Sequence, residues 1–552
     1  MRLLGRAFSS SYAAGEAAAR RFLPLDFRRA ADRAARTRAA AAAPPSPAVL
    51  EILRAQQVAL PPSAARAAAL DALARGGAAI VVTGQQAGLF LGPLYGFYKA
   101  ASAIAVARAL ERESGVRCVP LFWLQTEDHD FAEIASVTVS TSAGAPVRLT
   151  LAAEPSAAPR ASVAHRRLGE DVGGLLDALA EALGPAPAAA ETIALLARHY
   201  RPGRAPGAAF AGAMAELFAD EGLLFLDPRS EAVARLAAPL HRRAIGDAVE
   251  LGRRLEVRRD ELAAAGFDEQ IATRPGCALS FFHPDGPTGD RFRLTRVAAN
   301  AWGLSGRDGT LADGALEGAL ARAPLCFSTS ALLRPLLQDS LLPTAAYVGG
   351  PAEVSYFAQL APLYELFGLS PPLVVPRARF RCLDAGDRRR LEQLGIGADD
   401  VARPREVALE LARRPPTGGP GGRSGPDAQA LAVADRDDIL ARVDKLAAAA
   451  AAVDAADRNL GRAAERTRAT VARALGRLTD RAARTALARD RTASARLDRL
   501  VAALCPGGVP QERAYGWPSL AGRHGPAALK RLVFERLAEA GPFGGDLLDL
   551  RP

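Results

Sequence analysis

The sequence predicts an α/β protein built on a doubly wound parallel sheet, with a long helical region after it. Three observations predict it: a strand, glycine loop, helix and strand in succession between residues 78 and 124, further short apolar runs as far as residue 375, and a heptad-spaced apolar seam beyond residue 438. At 552 residues, 49% hydrophobic and 24% charged, the chain is long enough for two or three domains with sizeable cores.

An Ala/Arg-rich, helix-favouring region runs to about Arg75. The β-branched run Ala78 to Val82, flanked by glycines, reads as a buried strand. A loop from Gly84 to Pro93 then leads into helical spacing over Tyr95 to Glu113, which Gly115 is placed to cap, and Cys118 to Leu124 is a second apolar run of strand length. Strand, helix and strand in so short a stretch make a βαβ unit, whose crossover implies parallel pairing. Leu223 to Leu226, Leu325 to Ser328, Ala345 to Val348 and Leu373 to Val375 are the further strands expected, so the sheet is assembled from distant segments. The polar, Pro/Gly-rich stretch from about 136 to 324 reads as an inserted subdomain, which makes residues 1–380 the core.

Residues 381–430 read as a linker and irregular segment, densest in Pro, Gly and Arg between Pro415 and Pro426. Residues 431–505 read as a helical coiled-coil domain. Ile439, Val443, Leu446, Ala450 and Val453 alternate spacings of four and three, and Leu460, Val471 and Leu478 continue the seam less regularly. Asp457 and Asn459 can break it into an antiparallel hairpin, used for dimerisation. Residues 506–552 form a C-terminal segment expected to pack back on the core.

The net charge of +10 raises nucleic acid as a partner, but the pattern argues against it. Lysine occurs only at Lys99, Lys445 and Lys530, acidic residues lie among the arginines, and no aromatics interleave a basic stripe as base stacking requires. Five scattered cysteines, never in a two-spaced pair, read as reduced thiols rather than zinc ligands. Ser, Tyr and Gly interrupt what would be a leader's apolar stretch, and no run of apolar residues is long enough to span a bilayer. A cytoplasmic protein with small-molecule substrates and no membrane or nucleic-acid partner is the expectation.

Chemistry is expected at two sheet edges. Thr83, Gly84, Gln85 and Gln86, with Gly88 and Gly92, form a loop between strand and helix where backbone amides can cradle an anion, although the spacing is neither dinucleotide-binding nor Walker-type. Tyr95 opens the next helix, and Lys99 within it is a lysine kept by a chain that writes nearly every other basic position as Arg. Glu127, Asp128, His129 and Asp130 follow the strand that carries Trp123; such a group can hold a divalent cation, act as general base on an amine, or bond sugar hydroxyls. No metal is assigned. Arg334, Gln338 and Asp339 recur near helical spacing after Ser328, Thr329 and Ser330, a good N-cap cluster. Gly349 and Gly350 repeat the strand-to-glycine-turn logic, with Glu353 and Tyr356 in the first turns of the next helix. Arg377 and Arg379 can neutralise an anionic substrate. His165, His199, His241, His283 and His524 have no ligating neighbours in sequence and read as structural.

The segments VVTGQQAGLFLGPLYGFYKA (81–100), PLFWLQTEDHDFAEI (120–134), LLRPLLQDSLLPT (332–344), AYVGGPAEVSYFAQL (346–360), the pair Pro376-Arg377 and CPGGVPQER (505–513) resemble the cysteine-adding enzymes of bacillithiol biosynthesis, the BshC family. The resemblance covers essentially the whole chain. It implies a Rossmann-like core with inserted connecting-peptide subdomains, akin to class I aminoacyl-tRNA synthetases, and a coiled coil that makes a homodimer. It implies, too, the last step of bacillithiol synthesis, joining the carboxyl of L-cysteine to the amine of glucosaminyl-malate. Such an amide needs an activated carboxyl, most simply through ATP as cosubstrate. The synthetases' His-x-Gly-His and Lys-Met-Ser-Lys-Ser motifs are absent, and Gly84-Gln85-Gln86 stands in the place of the first. On this resemblance Gly84, Gln85, Gln86, Gly88 and Lys99 are expected to hold the anionic group. Glu127 to Asp130 are expected to position the sugar and deprotonate its amine, with Gly349, Gly350 and Glu353 closing the other side. Competing readings are a ligase or nucleotidyltransferase for another amino sugar, and a non-enzymatic ligand sensor signalling through the coiled coil.

Overall fold

The computed structural model describes residues 7–152, 160–413, 428–453, 458–487 and 490–552. It divides into two compact units, one of residues 1–382 with 512–552 and the other of residues 383–511.

The first unit is organised on a five-stranded parallel sheet. Its strands are β1 (Ala79–Gln85), β2 (Cys118–Leu124), β3 (Leu224–Leu226), β4 (Thr344–Gly349) and β5 (Leu373–Pro376), in spatial order β5-β4-β1-β2-β3. Read from the other edge this is the 3-2-1-4-5 order of a Rossmann-type sheet, with its topological switch between β1 and β4. Side chains alternate between two cores, as a strand's pleat dictates. Leu121, Trp123, Leu224 and Leu226 enter one hydrophobic cluster, and Phe122, Leu124 and Phe225 enter the other. Apolar cover on both faces is why these strands read as unbroken apolar runs rather than alternating ones. Helix α1 (Leu94–Ser114) follows β1 and ends on Gly115, which is left-handed at φ 70°, as its cap position requires. Helix α2 (Arg334–Leu341) precedes β4, and α3 (Pro351–Phe367) follows it.

Two expectations are corrected. The stretch from 136 to 324 is not one insertion, because β3 within it belongs to the parallel sheet and divides it. Nor does the apolar run at 325–328 join that sheet. Phe327–Thr329 pairs antiparallel with Cys277–Phe282 in a second five-stranded sheet, completed by Phe292–Ala298, Ala301–Leu304 and Arg307–Ala312 around buried Trp302. A short apolar run carries no information on which sheet it will complete. The C-terminal stretch pairs Leu547–Leu550 with Arg379–Cys382, and Trp517 is fully buried in the core that holds Phe122.

The second unit has a core of its own. Leu391, Leu394, Val401 and Val407 pack with Leu497, Leu500 and Leu504, so residues 385–394 and 404–413 are helices rather than irregular linker. Residues 414–427, with most of the Pro/Gly-rich stretch, lie outside the described residues. Helices α4 (Ala428–Val453) and α5 (Arg458–Leu487) pack on one another, with Arg468 Nε 2.5 Å from Asp444 Oδ1. The expected break at Asp457 lies outside the described residues, as do the side chains of Val453 and Leu460. Ile439, Leu446 and Leu478 of the heptad seam are exposed, so within one chain the seam is not buried. Among the described residues no helix is long and apolar enough to cross a membrane.

Candidate active site

A cavity of about 310 Å³ opens at the switch point, between the carboxyl ends of β1 and β4, where open α/β sheets place their ligands. Gly84, Gln85 and Gln86 line it from β1, Tyr95 and Lys99 from α1, Arg334 from α2, and Gly350, Glu353 and Tyr356 from the start of α3. Asp128 and Arg377 complete the lining residues that were expected. Gln125, Glu133, Ala331, Pro351, Ala352 and Arg513 join them unannounced.

Lys99 sits at the floor. Its Nζ lies 2.5 Å from Glu353 Oε2 and donates to the Gly84 carbonyl at 2.8 Å and to Gln85 Oε1 at 2.9 Å. Burial lowers the lysine's pKa, with Glu353 opposing that drift. Burial also works to raise the Glu353 carboxyl, but Lys99, the Tyr347 hydroxyl and the Gly350 amide outweigh it and hold it below the ordinary glutamate range. Arg334, also buried, donates to Gln338 Oε1 at 2.9 Å and to the Tyr356 hydroxyl at 3.0 Å. Among the described residues no carboxylate lies within ion-pair distance of Arg334 or Arg513. Three cations surround the Tyr95 ring: Lys99 Nζ at 6.0 Å from its centroid, and the Arg377 and Arg513 guanidinium carbons each at 5.8 Å. Burial, followed by the charge of Glu133, pushes the Tyr95 phenol up to about 12.

A second grouping is acidic. Gln86 Nε2 donates to Glu133 Oε2 at 2.6 Å and to Asp128 Oδ2 at 3.3 Å, while Gln86 Oε1 is buried without a partner. Asp128 Oδ1 accepts from the His129 amide at 2.7 Å and from Arg291 Nη1 at 3.1 Å, and lies 3.2 Å from His129 Nδ1. Burial works to raise the Asp128 carboxyl, but the His129 ring and amide with Arg291 overcome it and bring it down to about 2.

The remaining expected residues are near the cavity without lining it. Glu127 turns away, holding the Thr329 amide at 3.0 Å and the Thr329 hydroxyl. Asp130 caps the short helix after it by accepting from the Glu133 amide. His129 Nε2 meets the Arg160 guanidinium at 2.6 Å, and its Nδ1 lies 3.2 Å from Asp128 Oδ1 and 3.4 Å from Arg291 Nη1. Asp128 and His129 therefore stay together while Glu127 and Asp130 turn elsewhere, and among the described residues no set of three His, Cys, Asp or Glu side chains could hold a metal ion. Thr83 spends its hydroxyl on the Val348 carbonyl, and Trp123 is fully buried in the core. Gln338 and Asp339 form a buried relay behind Arg334, with Gln338 Nε2 donating to Asp339 at 2.7 Å and Tyr364 donating to the same carboxylate. Gly349 pairs with Pro376 in the sheet.

Gly88 and Gly92 do not offer their amides to an anion. Gly88 and Gly92 donate their amides to the Gln86 and Leu89 carbonyls, and the Leu91 amide donates to the Tyr200 hydroxyl. Gly88 and Gly92 instead let two backbone stretches touch, since a Cβ on Gly88 would fall 2.8 Å from the Gly92 Cα. The Gly350 amide at the start of α3 is taken by Glu353. The Gly88, Leu91, Gly92 and Gly350 amides are thus already taken and do not fit the phosphate chain of a nucleotide. Ser328 and Thr329 are committed to the second sheet, while Ser330 caps the turn that leads into α2, its hydroxyl accepting from the Leu333 amide at 3.2 Å and its carbonyl from the Arg334 amide at 2.9 Å. Arg377 spends two of its nitrogens on a buried two-pronged ion pair with Glu512, both contacts 2.8 Å, and among the described residues its Nε has no partner. His165, His199, His241 and His283 all find hydrogen-bond partners in the fold.

Arg291 and Arg513 are the functional-looking residues that local sequence patterns hide. One precedes a strand of the second sheet, and the other lies 136 residues beyond Arg377. Only the inclusion of Arg513 in the CPGGVPQER segment marked it.

Comparison with known proteins agrees with this architecture. The family model described as "Bacillithiol biosynthesis BshC, N-terminal Rossmann-like domain" matches residues 5–378. Similar proteins named "Putative cysteine ligase BshC" include one from Koribacter versatilis, 34% identical over 83% of this chain and 82% of its own length, and one from Symbiobacterium thermophilum, 33% identical over the same shares. A third, from Salinibacter ruber, is 36% identical over 58% of this chain and 57% of its own length. The parallel sheet with its switch-point cavity, the matched Rossmann-like domain and these relatives together establish that the chain belongs to the BshC family of bacillithiol biosynthesis and is a ligase of that family.

Proposed function

We propose that the protein joins the carboxyl of L-cysteine to the amine of glucosaminyl-malate, forming bacillithiol in the last step of its synthesis. The observation that carries this reading is the pairing of two charge groupings in one switch-point cavity. Cations gather about Tyr95 and carboxylates about Gln86. An acceptor that carries carboxylates at one end and an amine at the other matches that pairing. Arg513 and Arg334 would take the malate carboxylates, where charge-assisted hydrogen bonds are strongest, and Asp128 would hold the amino end. The unpartnered Gln86 Oε1 and Arg377 Nε offer an acceptor and a donor to the same ligand.

ATP is proposed as the activating cosubstrate, with its phosphates away from the Gly88, Leu91 and Gly92 amides, which are already occupied. The exposed Ile439, Leu446 and Leu478 support a homodimer made through the helical region. The test is mass spectrometry of the purified protein with cysteine, glucosaminyl-malate and ATP. The thiol product with AMP or ADP is expected. An amide on a different amino sugar would redirect the assignment, and binding of all three without turnover would favour a sensor.

A further inference from the structure

Three carboxylates line the cavity, and their partners set them apart. Glu353 is committed to Lys99, the Tyr347 hydroxyl and the Gly350 amide. Asp128 is committed to Arg291 and to His129. Both are stabilised as anions, which makes them good anchors and poor proton acceptors. Glu133 differs. Among the described residues no Lys, Arg or His lies within ion-pair distance of its carboxylate, and its one side-chain hydrogen bond comes from the neutral amide of Gln86. Gln86 bridges it to Asp128, so the anchor and the uncommitted carboxylate face one small region of the cavity. Glu133 is exposed at the cavity mouth, and partial desolvation of its carboxyl, then the charges of Asp130 and Asp128, raise it above the ordinary glutamate range against the opposing charge of Lys99.

We propose that Glu133 is the catalytic base that takes the proton from the attacking amine, with Gln86 as its positioning residue and Asp128 as the anchor of the amino group. This rests on the amide-forming reading above. Cysteine enters the step as an activated acyl group, a mixed anhydride of the acyl-phosphate class. The amine lone pair forms the N–C bond, and the bond from the acyl carbon to the anhydride oxygen breaks. The leaving group carries off that electron pair, and the proton shed by nitrogen passes to Glu133 and then to solvent. Of the three carboxylates, the one without a cationic partner is the best proton acceptor.

The experiment compares wild type, Glu133→Gln, Glu133→Asp and Asp128→Asn in steady-state thiol formation across pH 5 to 9. Glutamine keeps the size of the side chain and can still accept from Gln86, so matched thermal melts are expected. Glu133→Gln should lower kcat by about a hundredfold or more, the usual worth of a general base, with KM for the amino sugar within about threefold. The acid limb of the wild-type pH profile should vanish in Glu133→Gln and persist in Glu133→Asp. Asp128→Asn should act mainly on KM. Retention of kcat within about threefold in Glu133→Gln, or an unchanged acid limb, overturns the assignment of Glu133 while the amide-forming reaction stands. No thiol product from wild type overturns the reaction itself, and the base with it.

Discussion

Lys99 and Glu353 show how a single side chain can be both legible and consequential. A lysine retained by an Arg-writing chain was visible in the sequence, and the structure gives it a buried partner. Removing one member of a buried pair leaves an uncompensated charge at a cost of about 3–5 kcal/mol. Lys99→Met should therefore destabilise the protein by about that much in urea unfolding, and adding Glu353→Gln should restore much of the loss. Arg513, exposed and without a carboxylate partner, should behave oppositely. Arg513→Ala is expected to leave the melting temperature unchanged and raise KM for the anionic acceptor by about 10- to 100-fold, the worth of about 1.5–3 kcal/mol for one charge-assisted hydrogen bond. The acidic cluster was legible as a place but not as a division of labour. Glu127 and Asp128 are neighbours in sequence, yet one faces Thr329 and the other the cavity, and that choice is made by residues about two hundred positions away. Glu133 was not singled out within PLFWLQTEDHDFAEI, because its distinction is that among the described residues no cation pairs with it.

At the scale of elements, β1, β2 and α1 were readable because burial on both faces of the sheet writes them as apolar runs of diagnostic length. The strand Phe327–Thr329 was readable as a strand and not as a member of the second sheet, since pairing partners leave no mark on three residues. Gly84 stands opposite Trp123 in the pairing of β1 with β2. A Cβ there would stand 2.8 Å from the Trp123 carbonyl oxygen, so Gly84→Ala must push the strands apart and displace Gln85 and Gln86. A lowered melting temperature and weakened acceptor binding by calorimetry are expected together. Gly96, one turn into α1, meets nothing closer than 3.6 Å and has ordinary helical backbone. Gly96→Ala should raise stability by about 0.5–1 kcal/mol through reduced backbone entropy, provided the added methyl leaves Gln85 in place, which unchanged KM would verify.

The whole molecule carries a pH dependence that sequence could not announce. His241 is buried beside Ser280, and burial, with the charge of Arg229, lowers its imidazole to about 3. In the unfolded chain the same group takes up its proton near pH 6.5. Between about pH 6.5 and 3 the unfolded state thus binds more protons, and stability falls as pH falls through that window, by up to about 1.4 kcal/mol per pH unit. His165 and His283, lowered to about 4 chiefly by burial, act in the same sense. Urea midpoints measured at pH 7 and pH 5 should differ markedly, and His241→Gln should narrow the difference. Local periodicity was equally silent on the return of the chain. Residues 5–378 match the Rossmann-like family model, but Glu512 and Arg513 come from beyond the second unit. Chains ending at residue 382 should lose acceptor binding and expose an unpaired buried Arg377.

Phe380 donates its amide to Glu512 at 3.3 Å, so the polypeptide leaves the catalytic unit and re-enters it at adjoining points. Seen as an engineering problem, residues 383–511 are a cassette with both ends on one socket. Closing a flexible loop adds only about 0.6 kcal/mol for each doubling of its length. A short glycine-serine bridge could be grafted between Cys382 and Glu512 with the Arg377 pairing intact, which would ask whether the amide is made without residues 383–511 at all.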